Sequence, residues 1–203
     1  MKKLHLGCGL NILNGWENLD KDVDVSKPLP YLNNSVDYVF HEHLIEHLDE
    51  VDGYNFMKEC YRILKPGGYL RISTPSIEGI IKCYQNWEQV SPEFQQRHGS
   101  KTSFINNATL GQTANYIGKR FDPQGKSITL NRGDHWHRFY YDKEDLKYKL
   151  TKVGFREVRF VDKQCSDIPQ LRNLEGRTSG LFATFPKELE VILEARKKMP
   201  SQI

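Results

Sequence analysis

The stretch DGYNFMKECYRILKPGGYLRIST, Asp52 to Thr74, decides the fold. Tyr54, Met57, Tyr61 and Leu64 recur at three- and four-residue intervals, the spacing of one apolar face of a helix. Lys65-Pro66-Gly67-Gly68 must stop that helix, because proline has no N–H to extend it and glycine accepts the left-handed turn that follows. Tyr69-Leu70-Arg71-Ile72-Ser73-Thr74 then reads as a strand ended by Pro75. Upstream, Val36-Asp37-Tyr38-Val39-Phe40 reads as a buried strand running into His41-Glu42-His43-Leu44-Ile45-Glu46-His47. Strand, helix, Gly-rich turn and strand make a crossover unit of a parallel sheet.

Outward from this unit, Lys3-Leu4-His5-Leu6 runs as an alternating strand straight into the turn Gly7-Cys8-Gly9. A second short strand, Trp16-Glu17-Asn18-Leu19, ends on Asp20 so soon after Gly9 that the helix between them must be very short or missing. Beyond the central unit, residues 77–138 break the rhythm. Ile77 to Val90 is helical in pattern, whereas Gly99 to Asp134 is polar and rich in Gly, Asn and Thr, a length that suits a binding segment better than a connection. Asp142 is the expected N-cap of a helix ending at Gly154, followed by a strand from Phe155 to Val161. Glu190 to Ala195 fits helix or strand by pattern alone.

The 203 residues, 38% hydrophobic and 27% charged, fit a soluble single domain that buries enough apolar surface to need no disulfide or metal staple. Four widely spaced cysteines without C-x-x-C spacing, and no secretory leader, lead us to expect reduced thiols and a cytoplasmic protein. No apolar run can span a bilayer, so any membrane contact is peripheral. A net charge of +3 is too small to suggest a nucleic-acid partner. Oligomeric state is not legible.

Gly7-Cys8-Gly9 after a strand lets backbone approach a ligand closely, and Asp20 at the tip of the neighbouring strand can accept both hydroxyls of a ribose. A nicotinamide dehydrogenase would need a third glycine at position 12, which is Ile12. His43-Leu44-Ile45-Glu46-His47 spells H-x-x-E-H, which on a helix would pair His43 and His47 on zinc. No third ligand stands at a recognisable spacing, and no metal is expected.

LHLGCG (4–9), NGWENLD (14–20), LPYLNNSVDYV (29–39), LIEHL (44–48) and RILKPGGYL (62–70) together resemble a small class I S-adenosylmethionine-dependent methyltransferase. The resemblance is closest to a compact bacterial group predicted to act in surface-polysaccharide biosynthesis, and HRFYYD (137–142), Gly154-Phe155 and LRNLE (171–175) extend it. It implies a three-layer α/β domain with a mainly parallel, seven-stranded sheet and one antiparallel strand near 190–196, the segment 77–138 forming the acceptor side.

It further implies S-adenosylmethionine held by Gly7, Cys8 and Gly9 at its methionine end and by Asp20 at its ribose, with Asp24 and Val25 at the adenine and His41 and Glu42 towards the sulfonium. The acidic residue usual at the start of the first motif is replaced by His5 or Leu4. The acceptor would be a sugar or glycan precursor; another small molecule, or cofactor binding without turnover, are the alternatives. A sugar hydroxyl needs a base or a metal within reach as it attacks, and histidine suits that task near neutral pH. His137 is the expected catalytic residue and His43 the second, with His135, Trp136, Arg138 and Arg172 as acceptor contacts. For Arg172 and Glu175, a buried ion pair and contact with an anionic sugar both remain open.

Overall fold

The computed structural model describes residues 1–105, 137–176 and 186–200. Its strands are β1 (Lys3–Leu6), β2 (Glu17–Leu19), β3 (Val36–Glu42), β4 (Leu64–Pro75), β5 (Phe155–Phe160) and β6 (Glu190–Lys197), and they form one sheet in the order β2-β1-β3-β4-β6-β5. The first four run parallel, and β6 is antiparallel to both of its neighbours. The sheet has six strands among the described residues, not the expected seven. β2 is its outer strand, and the connection from Asp20 to Ser35 closes as turns (Val23 N–H to Asp20 O, Lys27 N–H to Asp24 O) instead of adding a strand outside it. Pro28 and Pro30 deprive that stretch of two ladder donors.

Helix α1 (Glu50–Ile63) starts two residues before the expected Asp52, because Asp49 caps it by accepting the Asp52 N–H at 2.9 Å. It buries Phe56, Met57, Cys60 and Ile63 and passes straight into β4; Lys65-Pro66-Gly67-Gly68 forms the irregular start of that strand, with Gly67 at φ +82°. Three further helices follow β4: α2 (Ile77–Gln85), α3 (Pro92–His98) and α4 (Lys101–Ile105). Helix α5 (Lys143–Val153) carries the expected Asp142 cap and ends at Gly154, φ +121°.

Alternation along the strands separates two faces. Leu4, Leu6, Val39, Leu70, Ile72 and Leu193 point into a core with Phe56 and Met57 of α1 and Leu146 and Leu150 of α5. The opposite face buries Phe40 against Leu171 and Leu174, with Leu13, Trp16, Tyr38, Tyr69 and Ile168 packed around them. Among the described residues this second layer is chain from 11–16 and 162–176 that contains a single 3-10 turn, Pro169–Leu171, and no α-helix, a departure from the helical layer expected on that face. With no helix between Gly9 and Trp16, the later segment crosses to fill the gap, fastened where Asn11 Nδ2 donates to the Leu174 carbonyl at 2.9 Å. On the same face Arg71 is fully buried between Glu175 (2.6 Å) and Glu194 (2.7 Å) and also donates to the Cys165 carbonyl. Glu175 is therefore a buried ion-pair partner. Arg172 is exposed, and its Nε donates to the Ser166 carbonyl.

His5 lies under this layer, beside Phe40 and 3.2 Å from Asn18 Oδ1. Burial lowers its pKa to about 4, against the smaller opposing effect of the Asn18 bond. Because the unfolded chain binds this proton near pH 6.5 and the folded chain only near 4, stability contributed by neutral His5 falls as pH drops through that window. Between pH 7 and pH 4 the native chain should lose up to about 3 kcal/mol more stability, measured by urea unfolding, than His5→Gln does. Parallel pH profiles would remove His5 from the acid response.

Candidate active site

Parallel sheets bind ligands outside the carboxyl ends of their strands, and β1, β2, β3 and β4 deliver their ends to one edge. β1 ends in the Gly7–Gly9 turn, with both glycines left-handed at φ +66° and +49°. A Cβ on Gly9 would meet nothing within 4 Å, so bare backbone faces open space there. The Cys8 N–H closes the turn on the Leu19 carbonyl at 3.1 Å, bringing Asp20 alongside. Burial pushes the Cys8 thiol pKa up and the Asp20 carboxylate adds to it, which places that carboxylate near the turn. Asp20 is exposed, and its side chain makes no hydrogen bond or ion pair among the described residues.

The second half of the site follows β3. His43 is left-handed at φ +50°, its N–H still bound to the Ser73 carbonyl, and a 3-10 turn covers Ile45–His47. His43 and His47 therefore do not sit one α-helical turn apart, as the H-x-x-E-H pairing would require. The 3-10 turn points Glu46 inward, with its side chain fully buried. Thr74 donates to Glu46 Oε2 at 3.0 Å, and His43 Nδ1 lies 3.1 Å from Oε1. Burial pushes the Glu46 carboxyl up, but His43, with the charges of His137 and His47, outweighs that and holds it well below the usual carboxylate range.

The Glu46 carbonyl accepts N–H groups from Arg138 and Phe139, which brings His137 to 3.9 Å from Glu46 Oε1 and sets its ring 4.9 Å from that of His47. His137 Nδ1 lies 3.0 Å from the Tyr140 hydroxyl, while His43 Nε2 pairs with Glu190, itself bound by Lys163. Tyr140 packs against the small cluster built from α2 to α4 around Ile80, Trp87, Phe94 and Phe104. The two halves touch at Leu44, whose Cδ1 would stand 2.9 Å from a Cβ on Gly7.

Gly7, Cys8, Gly9 and Asp20 thus come together, as do His137 and His43 about Glu46. Asp24 lies on the exposed loop after Asp20, held to about pKa 2 by hydrogen bonds from Ser26 and Lys27. Val25 is buried in the main core, and Glu42 accepts the Gly176 N–H at 2.9 Å. His41 packs on Phe56, with both ring nitrogens buried and without a hydrogen bond among the described residues. Burial lowers its pKa to about 3. Arg138 is exposed beside His137; His135 and Trp136 lie outside the described residues. Sequence reasoning missed Glu46, Thr74 and Glu190. Only the H-x-x-E-H string signalled Glu46.

Comparison with known proteins bears on this edge. Residues 17–72 match a family model described as a methyltransferase domain. The chain is 25% identical over 131 residues to the biotin biosynthesis bifunctional protein BioHC of Cellvibrio japonicus, covering 64% of this chain and 23% of that protein. Over 48 residues it is 46% identical to a Mycolicibacterium smegmatis protein named a probable S-adenosylmethionine-dependent methyltransferase, covering 24% of this chain and 18% of that one. The chain therefore spans about a fifth of the length of the curated relatives it matches (23% and 18%). The solved CurJ carbon methyltransferase shares the fold, with a TM-score of 0.50 and 10% identity over 98% of this chain and 48% of that one.

Proposed function

We propose that the chain is an S-adenosylmethionine-dependent methyltransferase that methylates a hydroxyl oxygen of a sugar or glycan precursor. The observation that carries this reading is an open glycine turn beside an unpaired carboxylate, in contact through Leu44 with a buried His-Glu cluster. The matched segment 17–72 includes Asp20 and the Glu46-His47 pair, and supports the same reading. These residues fit the cofactor: the positive-φ turn exposes amides, Gly9 leaves open space for its methionine end, and Asp20 is free to accept both ribose hydroxyls. When bound, S-adenosylmethionine supplies an electrophilic methyl group.

The chain's own part is alignment and proton control, since an in-line displacement gains most from holding nucleophile and methyl in register. Asp24 flanks the adenine, with Val25 packed beneath the loop. His41 and Glu42 set the floor of the site on the sulfonium side. His137 activates the acceptor hydroxyl; about a quarter of its side chain is exposed (24%), whereas His43 (8%) is held between two carboxylates and positions Glu46 behind it. Arg138 and Arg172 contribute acceptor contacts from exposed positions, and helices α2 to α4 wall the acceptor side through Tyr140. All four cysteines are free thiols, in keeping with a cytoplasmic site of action, and no helix among the described residues is long and apolar enough to cross a membrane.

The test is transfer of a tritiated methyl group from labelled S-adenosylmethionine to nucleotide-sugar and cell-envelope glycan fractions. Base-stable label in a glycan fraction is the expected result. Label only in another class of molecule would overturn the acceptor, and no label anywhere, with cofactor bound, would mark a binding module without turnover.

A further inference from the structure

We infer that Glu46, His47 and His137 form a binding site for a borderline divalent metal ion of the zinc type. One ligand atom from each of the three lies within 4.8 Å of the others. A tetrahedral ion with bonds near 2.1 Å sets its ligands about 3.4 Å apart, so side-chain rotations that draw the trio together by about an ångström complete three corners and leave the fourth open.

Three features favour an ion over a plain hydrogen-bond cluster. The Glu46 side chain is fully buried, and its Oε1, with His43 Nδ1 3.1 Å away, receives no aligned hydrogen bond among the described residues. Its other oxygen is fixed by Thr74, which aims Oε1 at the two imidazoles. His137 has Nδ1 on the Tyr140 hydroxyl, and a ligating histidine characteristically uses its second ring nitrogen in this way to fix the ring and leave Nε2 as donor. Two imidazole nitrogens and one carboxylate oxygen suit Zn²⁺, Co²⁺ or Fe²⁺, whereas Mg²⁺ takes oxygen ligands. His43 stands behind Glu46 and is engaged by Glu190, so it supports the carboxylate instead of ligating.

The inference deepens the proposed function and rests on it for the metal's use: an ion here would acidify an acceptor hydroxyl beside the cofactor turn, so that His137, with both ring nitrogens engaged, would act on the hydroxyl by holding the ion and not as a free base. The test titrates Co²⁺ alone into chelator-treated protein and follows its visible ligand-field absorption, with Zn²⁺ as competitor and S-adenosylmethionine binding measured separately by calorimetry. One Co²⁺ per chain, displaced by Zn²⁺, is expected, with affinity about a hundredfold or more weaker in Glu46→Gln and in His47→Ala while S-adenosylmethionine affinity stays within about twofold. His47, on a surface turn, keeps the test valid if Glu46→Gln fails to fold. Absence of Co²⁺ absorption, or unaltered Co²⁺ affinity in His47→Ala, overturns the site. Co²⁺ binding without cofactor binding overturns the methyltransferase reading and leaves the metal site standing.

Discussion

Arg71→Met is expected to destabilise the chain by about 3–5 kcal/mol, lowering its melting temperature by roughly 10 °C. Arg71 is fully buried and pairs in register with Glu194 across the β4–β6 ladder while also holding Glu175 from the 162–176 segment. Removing it strands carboxylates where water cannot reach them, and the loss includes their desolvation as well as the bonds themselves. Arg159 supplies the contrast. It also binds Glu194, at 2.9 Å, but is 38% exposed, and Arg71 keeps Glu194 paired in its absence. Arg159→Met should cost about 1 kcal/mol or less. Denaturant unfolding of both variants checks the pair, and equal losses would show that the second layer does not depend on the buried charge.

His137→Ala is expected to lower methyl transfer by about 10²–10⁴-fold while leaving S-adenosylmethionine affinity within about twofold. The separation follows from position: His137 belongs to the Glu46 cluster, and the cofactor turn is formed by Gly7 to Gly9 with Asp20. His43→Asn should lose less, because His43 acts through Glu46. Single-turnover label transfer and calorimetry measure the two effects. A His137→Ala variant retaining more than about a tenth of native transfer would move the activating group elsewhere.

The parts of the fold carried by local chemistry were legible in the sequence. Proline and glycine at 66–68 marked the entry to β4, Asp142 and Gly154 bracketed α5, and the short gap after Gly9 foretold the missing helix. What that gap led to was not legible, because the segment replacing the helix comes from 162–176 and is joined by contacts such as Asn11 to Leu174 that no periodicity encodes. Arg71 looked like one more strand residue; its partners lie 104 and 123 positions away. The candidate site divides in the same way. Its glycine turn and Asp20 announce themselves by spacing, whereas Glu46 joins His137 only because a 3-10 turn points it inward and its carbonyl captures the chain at Arg138.

The central claim is that the edge formed by Gly7, Gly9 and Asp20 binds S-adenosylmethionine, and calorimetric titration of the folded chain with that compound and with S-adenosylhomocysteine tests it most directly. We predict saturable heat for one site per chain with both, and about tenfold or more weaker binding in Asp20→Ala, where the ribose acceptor is lost. Absence of heat with either compound, on protein whose circular dichroism is native, would contradict the account.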